Sequence, residues 1–127
     1  MTINRFTDRL VWQKAVDFDV RLYKLTRDFP KEEIYGLTSQ VRRAAVSVPS
    51  NIAEGHGRSS TGDYLRFLSI SQGSCSEVET QLLIAHRLQY LSKENYEQLT
   101  SDLSEIGRML NGLSCSLKRR SEVVPIP

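Results

Sequence analysis

Apolar residues recur at Val11, Ala15, Phe18, Leu22, Leu25 and Phe29, at alternating intervals of four and three that put them on one side of a helix. Trp12, Val16 and Tyr23 widen that stripe. Pro30 drives the residue before it out of the helical region, so the spacing predicts a first helix over roughly residues 8–28. A second periodic segment holds Val41, Ala45, Val48 and Ile52, preceded by Leu37 with Thr38 and Ser39 as candidate N-caps, and closed by Gly55 and Gly57. Pro49 lies inside it, with no N–H for the carbonyl of Ala45 and a ring that crowds that carbonyl. The expectation is a kinked helix whose loosened backbone is satisfied by Ser47, Ser50 or Asn51; a helix stopping at Val48 is the alternative.

The third segment opens with Ser60 as N-cap and Asp63 at the capping-box position, and its stripe is Tyr64, Leu68, Ser71, Cys75, Val78, Leu82 and Ala85. From Ser69 to Ser76 it is poor in helix formers and rich in small side chains, so packing must hold it. Ala44, Ala45 and Ser47 of the second helix are natural partners for so close an approach. The fourth segment repeats Tyr96, Leu99, Leu103, Ile106, Leu110, Leu113 and Leu117 without a miss, with Ser92 as N-cap. Four amphipathic helices, short links and no period-two pattern predict an all-α, antiparallel up-and-down four-helix bundle over residues 1–117 with a proline inside its second helix. Residues 118–127, with three basic side chains and two prolines, read as a flexible basic tail.

Composition narrows the class. With 127 residues, 39% hydrophobic and 25% charged, this is one ordinary globular domain, large enough to build its own core. Two cysteines make no disulfide framework, and Cys75 and Cys115 fall on apolar helix faces, where a free thiol behaves as a small hydrophobe. The first charge pair, Asp8 and Arg9, precedes any apolar run of signal-peptide length, and no run approaches the roughly 18 apolar residues of a membrane span, so a cytoplasmic protein is expected. A di-iron bundle centre needs Glu-x-x-His pairs, whereas Glu54 and His56 are two apart and His86 has no acidic neighbour within three positions. No metal, cofactor or catalytic residue is expected. Gly55, Gly57 and Gly62 flank Arg58, Ser59 and Ser60 ahead of a helix, a place that can hold a phosphate, but the P-loop lysine is absent and a plain helix-ending loop explains it as well.

Net charge is only +2, yet unevenly placed: +3 over residues 1–60, −3 over 61–117 and +2 beyond. One basic half could draw RNA, or opposite halves of neighbouring copies could attract each other. Arg42, Arg43, Arg58, Lys118, Arg119 and Arg120 are the candidate RNA-binding residues. Arg42, Arg43, Glu54, Glu77 and Glu79 lie in or beside the tightest expected packing, so structural ion pairs are expected there, because an unpaired buried charge is costly. Trp12, Val16, Val20 and Tyr23 exceed what one core-facing seam needs and mark a candidate oligomer interface, or else they complete the monomer's own core.

The run from Gln40 to Gly55, with Arg42-Arg43-Ala44-Ala45 leading to Pro49-Ser50-Asn51-Ile52-Ala53-Glu54-Gly55, resembles the signature of the bacterial four-helix bundle family encoded in intervening sequences of 23S rRNA genes. Val11-Trp12-Gln13-Lys14-Ala15, Phe29-Pro30, Glu32-Glu33-Ile34-Tyr35-Gly36-Leu37 and Tyr64-Leu65-Arg66-Phe67-Leu68 extend the likeness to about Leu117. Gly73 stands where many relatives would have alanine, a departure that bears on packing. The resemblance implies an up-and-down bundle, a ring-shaped homopentamer and no enzyme activity. Relatives include the accessory protein of diversity-generating retroelements, which works with a reverse transcriptase and its RNA, so an RNA or ribonucleoprotein partner is the expectation it brings.

Overall fold

The computed structural model describes residues 6–122 and contains α1 (Phe6–Thr26), a 3₁₀ turn (Lys31–Glu33), α2 (Leu37–His56), α3 (Thr61–Arg87) and α4 (Lys93–Glu122). Each helix packs on the next in the chain and α4 closes on α1, with no strand among the described residues. The result is the antiparallel four-helix bundle that the periodicity predicts. One end, the glycine-loop end, gathers the start of α1, the end of α2, the start of α3 and the end of α4; the other is the 3₁₀ end.

The stripes are the core. Leu22, Ile52, Leu68, Val78, Leu82, Leu99 and Leu110 are completely buried, while Leu25 and Tyr96 pack at its edge. Each large aliphatic side chain withdrawn from water in this way contributes about 1.5–3 kcal/mol. Cys75 is buried as expected, and burial, with Asp19 and Glu79 nearby, pushes its thiol up to about 12, so it stays protonated. Cys115 is exposed, midway between the stripe residues Leu113 and Leu117 rather than on their face.

α2 runs unbroken through Pro49, which is itself buried. Hydroxyls and an amide surround it. Ser71 Oγ donates to the Val48 carbonyl (2.9 Å), Ser74 Oγ to Ser47 Oγ (2.8 Å), and Asn51 Nδ2 to the Ser47 carbonyl and hydroxyl (2.8 and 2.9 Å). One turn further on, α3 comes so close that a Cβ on Gly55 would stand 2.7 Å from Phe67 Cβ and 2.9 Å from Tyr64 Cδ1.

Three boundaries differ from the sequence expectation. α1 stops at Thr26, whose hydroxyl donates back to the Leu22 carbonyl at 2.8 Å and so competes with the next turn of backbone. α2 starts at Leu37, its N-cap being Gly36 rather than Thr38 or Ser39, because Glu33 Oε1 reaches in to accept the Leu37 amide at 3.1 Å. α4 continues to Glu122, so Lys118, Arg119 and Arg120 stand in its last turns rather than beyond its end. Buried Leu117 carries the core stripe into that last stretch, and cations there suit the negative end of the helix dipole. The remainder of the expected tail, 123–127, lies outside the described residues. Ser60 and Ser92 cap as expected, accepting the amides of Asp63 and Asn95 at 3.1 Å each.

The core holds one anomalous carboxyl. Asp19 is only 8% exposed, its Oδ1 has no hydrogen-bond partner among the described residues, and burial pushes it from 3.8 up to about 8. The unfolded chain releases that proton near pH 4 while the folded chain keeps it until about pH 8, so the native state binds more protons and stability falls as pH rises through this window. Thermal melts of Asp19→Asn and the parent should therefore coincide near pH 4 and separate by pH 8, with the variant melting higher; parallel curves would show that Asp19 is already ionised in the fold. At the helix crossing, Gly55→Ala should lower stability by about 1–3 kcal/mol through overpacking despite alanine's better helix propensity. A urea midpoint equal to or above the parent's would contradict so close an approach.

Candidate nucleic-acid interface

At the 3₁₀ end, the last turn of α1 and the second turn of α2 meet through Arg42. Its Nε donates to Thr26 Oγ1 (2.9 Å), its Nη2 to the Tyr23 carbonyl (3.2 Å), and its guanidinium lies 4.5 Å from the centroid of the Tyr23 ring. Stacking and two hydrogen bonds fix the group in place and leave most of its five N–H donors unused. Arg43, rotated by about 100° on the same helix, is exposed.

Tyr23, 39% exposed, borders two grooves. One, of about 350 Å³, is lined by Tyr23, Ile34, Thr38, Ser39, Arg42 and Arg43. The other, of about 360 Å³, is lined by Val16, Asp19, Val20, Tyr23, Lys24 and Arg27. Four cations thus surround one exposed aromatic ring, and none of them has a carboxylate ion-pair partner among the described residues. The one carboxyl in either groove is Asp19, which its burial holds neutral below about pH 8. Within the groove linings, then, nothing offsets the four cations below that pH.

The other candidate RNA-binding residues lie elsewhere. Arg58 and the trio Lys118, Arg119 and Arg120 are at the glycine-loop end; the sixteen residues from Arg42 to Arg58 amount to on the order of 20 Å along the bundle. Arg58 is already engaged, paired with Glu54 one turn back and stacked 4.9 Å from the Phe67 centroid, while Ser60 Oγ is spent on its own helix. Between these groups sits a knot that the sequence reading missed: Asp8, fully buried, accepts from Tyr64 Oη at 2.9 Å and lies 3.6 Å from His56 Nε2. It ties the starts of α1 and α3 to the end of α2.

Of the residues expected in structural ion pairs, only Glu54 has such a partner among the described residues, and that pair is exposed, where it contributes little. Arg42 bonds a hydroxyl and a carbonyl, Arg43 faces water, Glu77 accepts from Gln81 Nε2 at 3.4 Å, and Glu79 is exposed. The reason is that serine and asparagine satisfy the tight seam, leaving these charges outside it. Ion pairs form instead between α1 and α4, Lys14 with Glu105 (2.6 Å) and Arg21 with Asp102 (3.0 Å). Among the candidate interface residues Trp12 and Val16 are half-buried, Trp12 against the core, whereas Val20 is 49% exposed.

Lys24 and Arg27 carry no expectation from the sequence, and Thr38 and Ser39 figure there only as candidate N-caps. Tyr23 and Arg27 are one helical turn apart, a signal visible on a helical wheel, but their meeting with Arg42 depends on how α1 and α2 dock. Among the described residues no helix is long and apolar enough to cross a membrane, and no cluster of three potential metal ligands occurs.

The model of one protein family, described as 23S rRNA-intervening sequence protein, matches residues 7–112. Among solved structures, the chain is similar to the 1.70 Å crystal structure of a protein with unknown function from the S23 ribosomal protein family of Bacteroides thetaiotaomicron, with a TM-score of 0.79 and 25% identity over 86% of this chain and 98% of that one. No curated protein matches. Because the matched span takes in α1, α2, α3 and most of α4, and the solved relative repeats the same fold, the chain belongs to the 23S rRNA-intervening sequence protein family.

Proposed function

We propose that the protein is a cytoplasmic, non-enzymatic, oligomeric bundle that associates with RNA, or with an RNA–protein complex, through the face around Tyr23. The observation that carries this reading is Arg42: a guanidinium immobilised on an exposed aromatic ring, with Lys24, Arg27 and Arg43 around it and no ionised carboxylate in either groove. Phosphate attraction supplies sequence-independent affinity, and an aromatic ring beside cations suits an unpaired base. The cations at the glycine-loop end contribute less in this reading, since Arg58 is neutralised by Glu54.

A net charge of +2 gives one copy weak attraction, so assembly belongs to the proposal. Val16 and Val20 form an apolar strip beside Tyr23, and a homo-oligomer, a pentamer by family resemblance, would cover it. The same strip favours the second reading, a protein-binding assembly module without nucleic-acid contact.

Titration against structured RNA with single-stranded loops, across a salt series, should give an affinity that falls with a log–log slope of up to about −3 per copy, as expected for four phosphate contacts. Lys24→Glu with Arg43→Glu should weaken binding at least tenfold and flatten that slope, whereas Arg58→Ala should change it little. Absence of binding at low salt, or binding indifferent to salt, would leave the assembly module as the function. Light scattering of the parent at micromolar concentration should give a multiple of 14.5 kDa, and Val20→Asp should shift the mass down; a monomeric parent refutes the oligomer.

A further inference from the structure

We propose that the groove at the start of α2 is a phosphate site that seats one phosphoryl group of a single-stranded RNA, with the attached base against Tyr23. This deepens the RNA reading and rests on it for the identity of the ligand, but not for the existence of the site.

The start of a 20-residue helix offers amides to an anion, and here they are partly claimed. The Leu37 amide goes to Glu33 Oε1 (3.1 Å) and the Gln40 amide to the Gly36 carbonyl (3.0 Å). Between them, the amides of Thr38 and Ser39 have no acceptor among the described residues. A second observation is independent of the helix end. Thr38 is only 5% exposed, lines the groove, and its Oγ1 has no hydrogen-bond partner among the described residues. A buried hydroxyl left unpaired is costly to the fold, and a ligand that satisfies it recovers that cost.

The charges converge on the same place. Arg42 and Arg43 stand on the next turn of α2 and line the groove with Thr38 and Ser39. Arg42 is held by Thr26 and Tyr23, so it meets an anion without first losing side-chain freedom. Glu33 is the carboxylate that reaches into this helix end, with Glu32 beside it in the 3₁₀ turn, and both oxygens of Glu33 are engaged, Oε1 by the Leu37 amide and Oε2 by Tyr90 Oη at 2.9 Å. Neither carboxylate lines the groove, whereas both guanidinium groups do. A volume of about 350 Å³ lies near the lower limit for small-molecule sites, which suits a phosphoryl group with its nucleoside. An unpaired base can reach Tyr23, whereas a paired one keeps its faces within the helix stack.

The test uses the full chain and backbone amide spectra. Titrated inorganic phosphate should shift the Thr38 and Ser39 amides. A short single-stranded RNA should shift the same pair together with Tyr23, and an RNA duplex should bind at least tenfold more weakly. Comparing the strand with and without a 5′-phosphate tells whether a terminal monoester or an internal diester fills the site. Thr38→Val with Ser39→Ala, which keeps the shape and removes both hydroxyls, should lower affinity for the single strand about tenfold and abolish competition by inorganic phosphate. If RNA binds with a salt slope while these two amides stay still, the phosphate site is wrong and the basic-face reading stands. If phosphate moves the amides but no RNA binds, the site stands and the RNA reading falls. A duplex that binds as tightly as the single strand overturns the role given to Tyr23.

Discussion

The close approach of α2 and α3 is the constraint on which this bundle turns. At Gly55 there is no space for a Cβ between α2 and the side chains of Tyr64 and Phe67, and from Ser47 to Asn51 the facing residues are small. A seam this narrow buries backbone that a wider one would leave to long apolar side chains. Its polar groups must then be paired within it, and Ser71, Ser74 and Asn51 do so around Pro49. The large aliphatic residues accordingly concentrate on the other side of the core, where α4 supplies six buried leucine and isoleucine positions. Proline is tolerated at the centre of α2 because packing on α3 holds the chain on both sides of it, not because the helix is intrinsically strong there.

What could be read from the sequence follows from this division. The α4 repeat and the α3 stripe are local periodic signals, and every stripe residue from Tyr64 to Ala85 is buried. Serine caps at Ser60 and Ser92 are equally local, decided within three residues. The start of α2 was not legible, because its cap comes from Glu33 across a turn whose geometry no propensity reveals. Asp8 was invisible for a similar reason: its partners, His56 and Tyr64, are about fifty residues away, and only the closed bundle brings them to it. The expectation of ion pairs at Arg42, Glu77 and Glu79 failed because it assumed that charges next to tight packing must be inside it. Helix rotation puts them just outside.

The candidate site shows the same limit. Tyr23, Arg42 and Arg43 each drew attention in the sequence, but for separate reasons, the tyrosine as surplus apolar surface and the arginines as basic charge. Docking the end of α1 beside the start of α2 merges the two roles into one surface. It also divides what the sequence grouped, since Arg58 and the α4 cations are carried to the opposite end. Net charge was a poor guide here. The two grooves are basic through the absence of ionised carboxylates from their linings, and that absence includes Asp19, which burial holds neutral below about pH 8.

Tyr23 lines both grooves, so the proposed assembly and the proposed RNA association would meet along one face. The groove holding Val16 and Val20 is the apolar one, and in the proposed assembly another copy seated on the two valines would remove hydrophobic surface from water without displacing Arg42 or Arg43, with Lys24 and Arg27 of the same groove at the rim of the contact. The groove at the start of α2 would then remain open beside it, and each added copy would bring another basic face. Affinity from phosphate contacts multiplies when such faces are joined, because the later contacts are made within one assembly rather than from solution. In the proposed assembly, a chain with a net charge of +2 would gain through repetition what it lacks in any single copy, while the net negative charge of residues 61–117 would disfavour RNA on the surfaces those residues form.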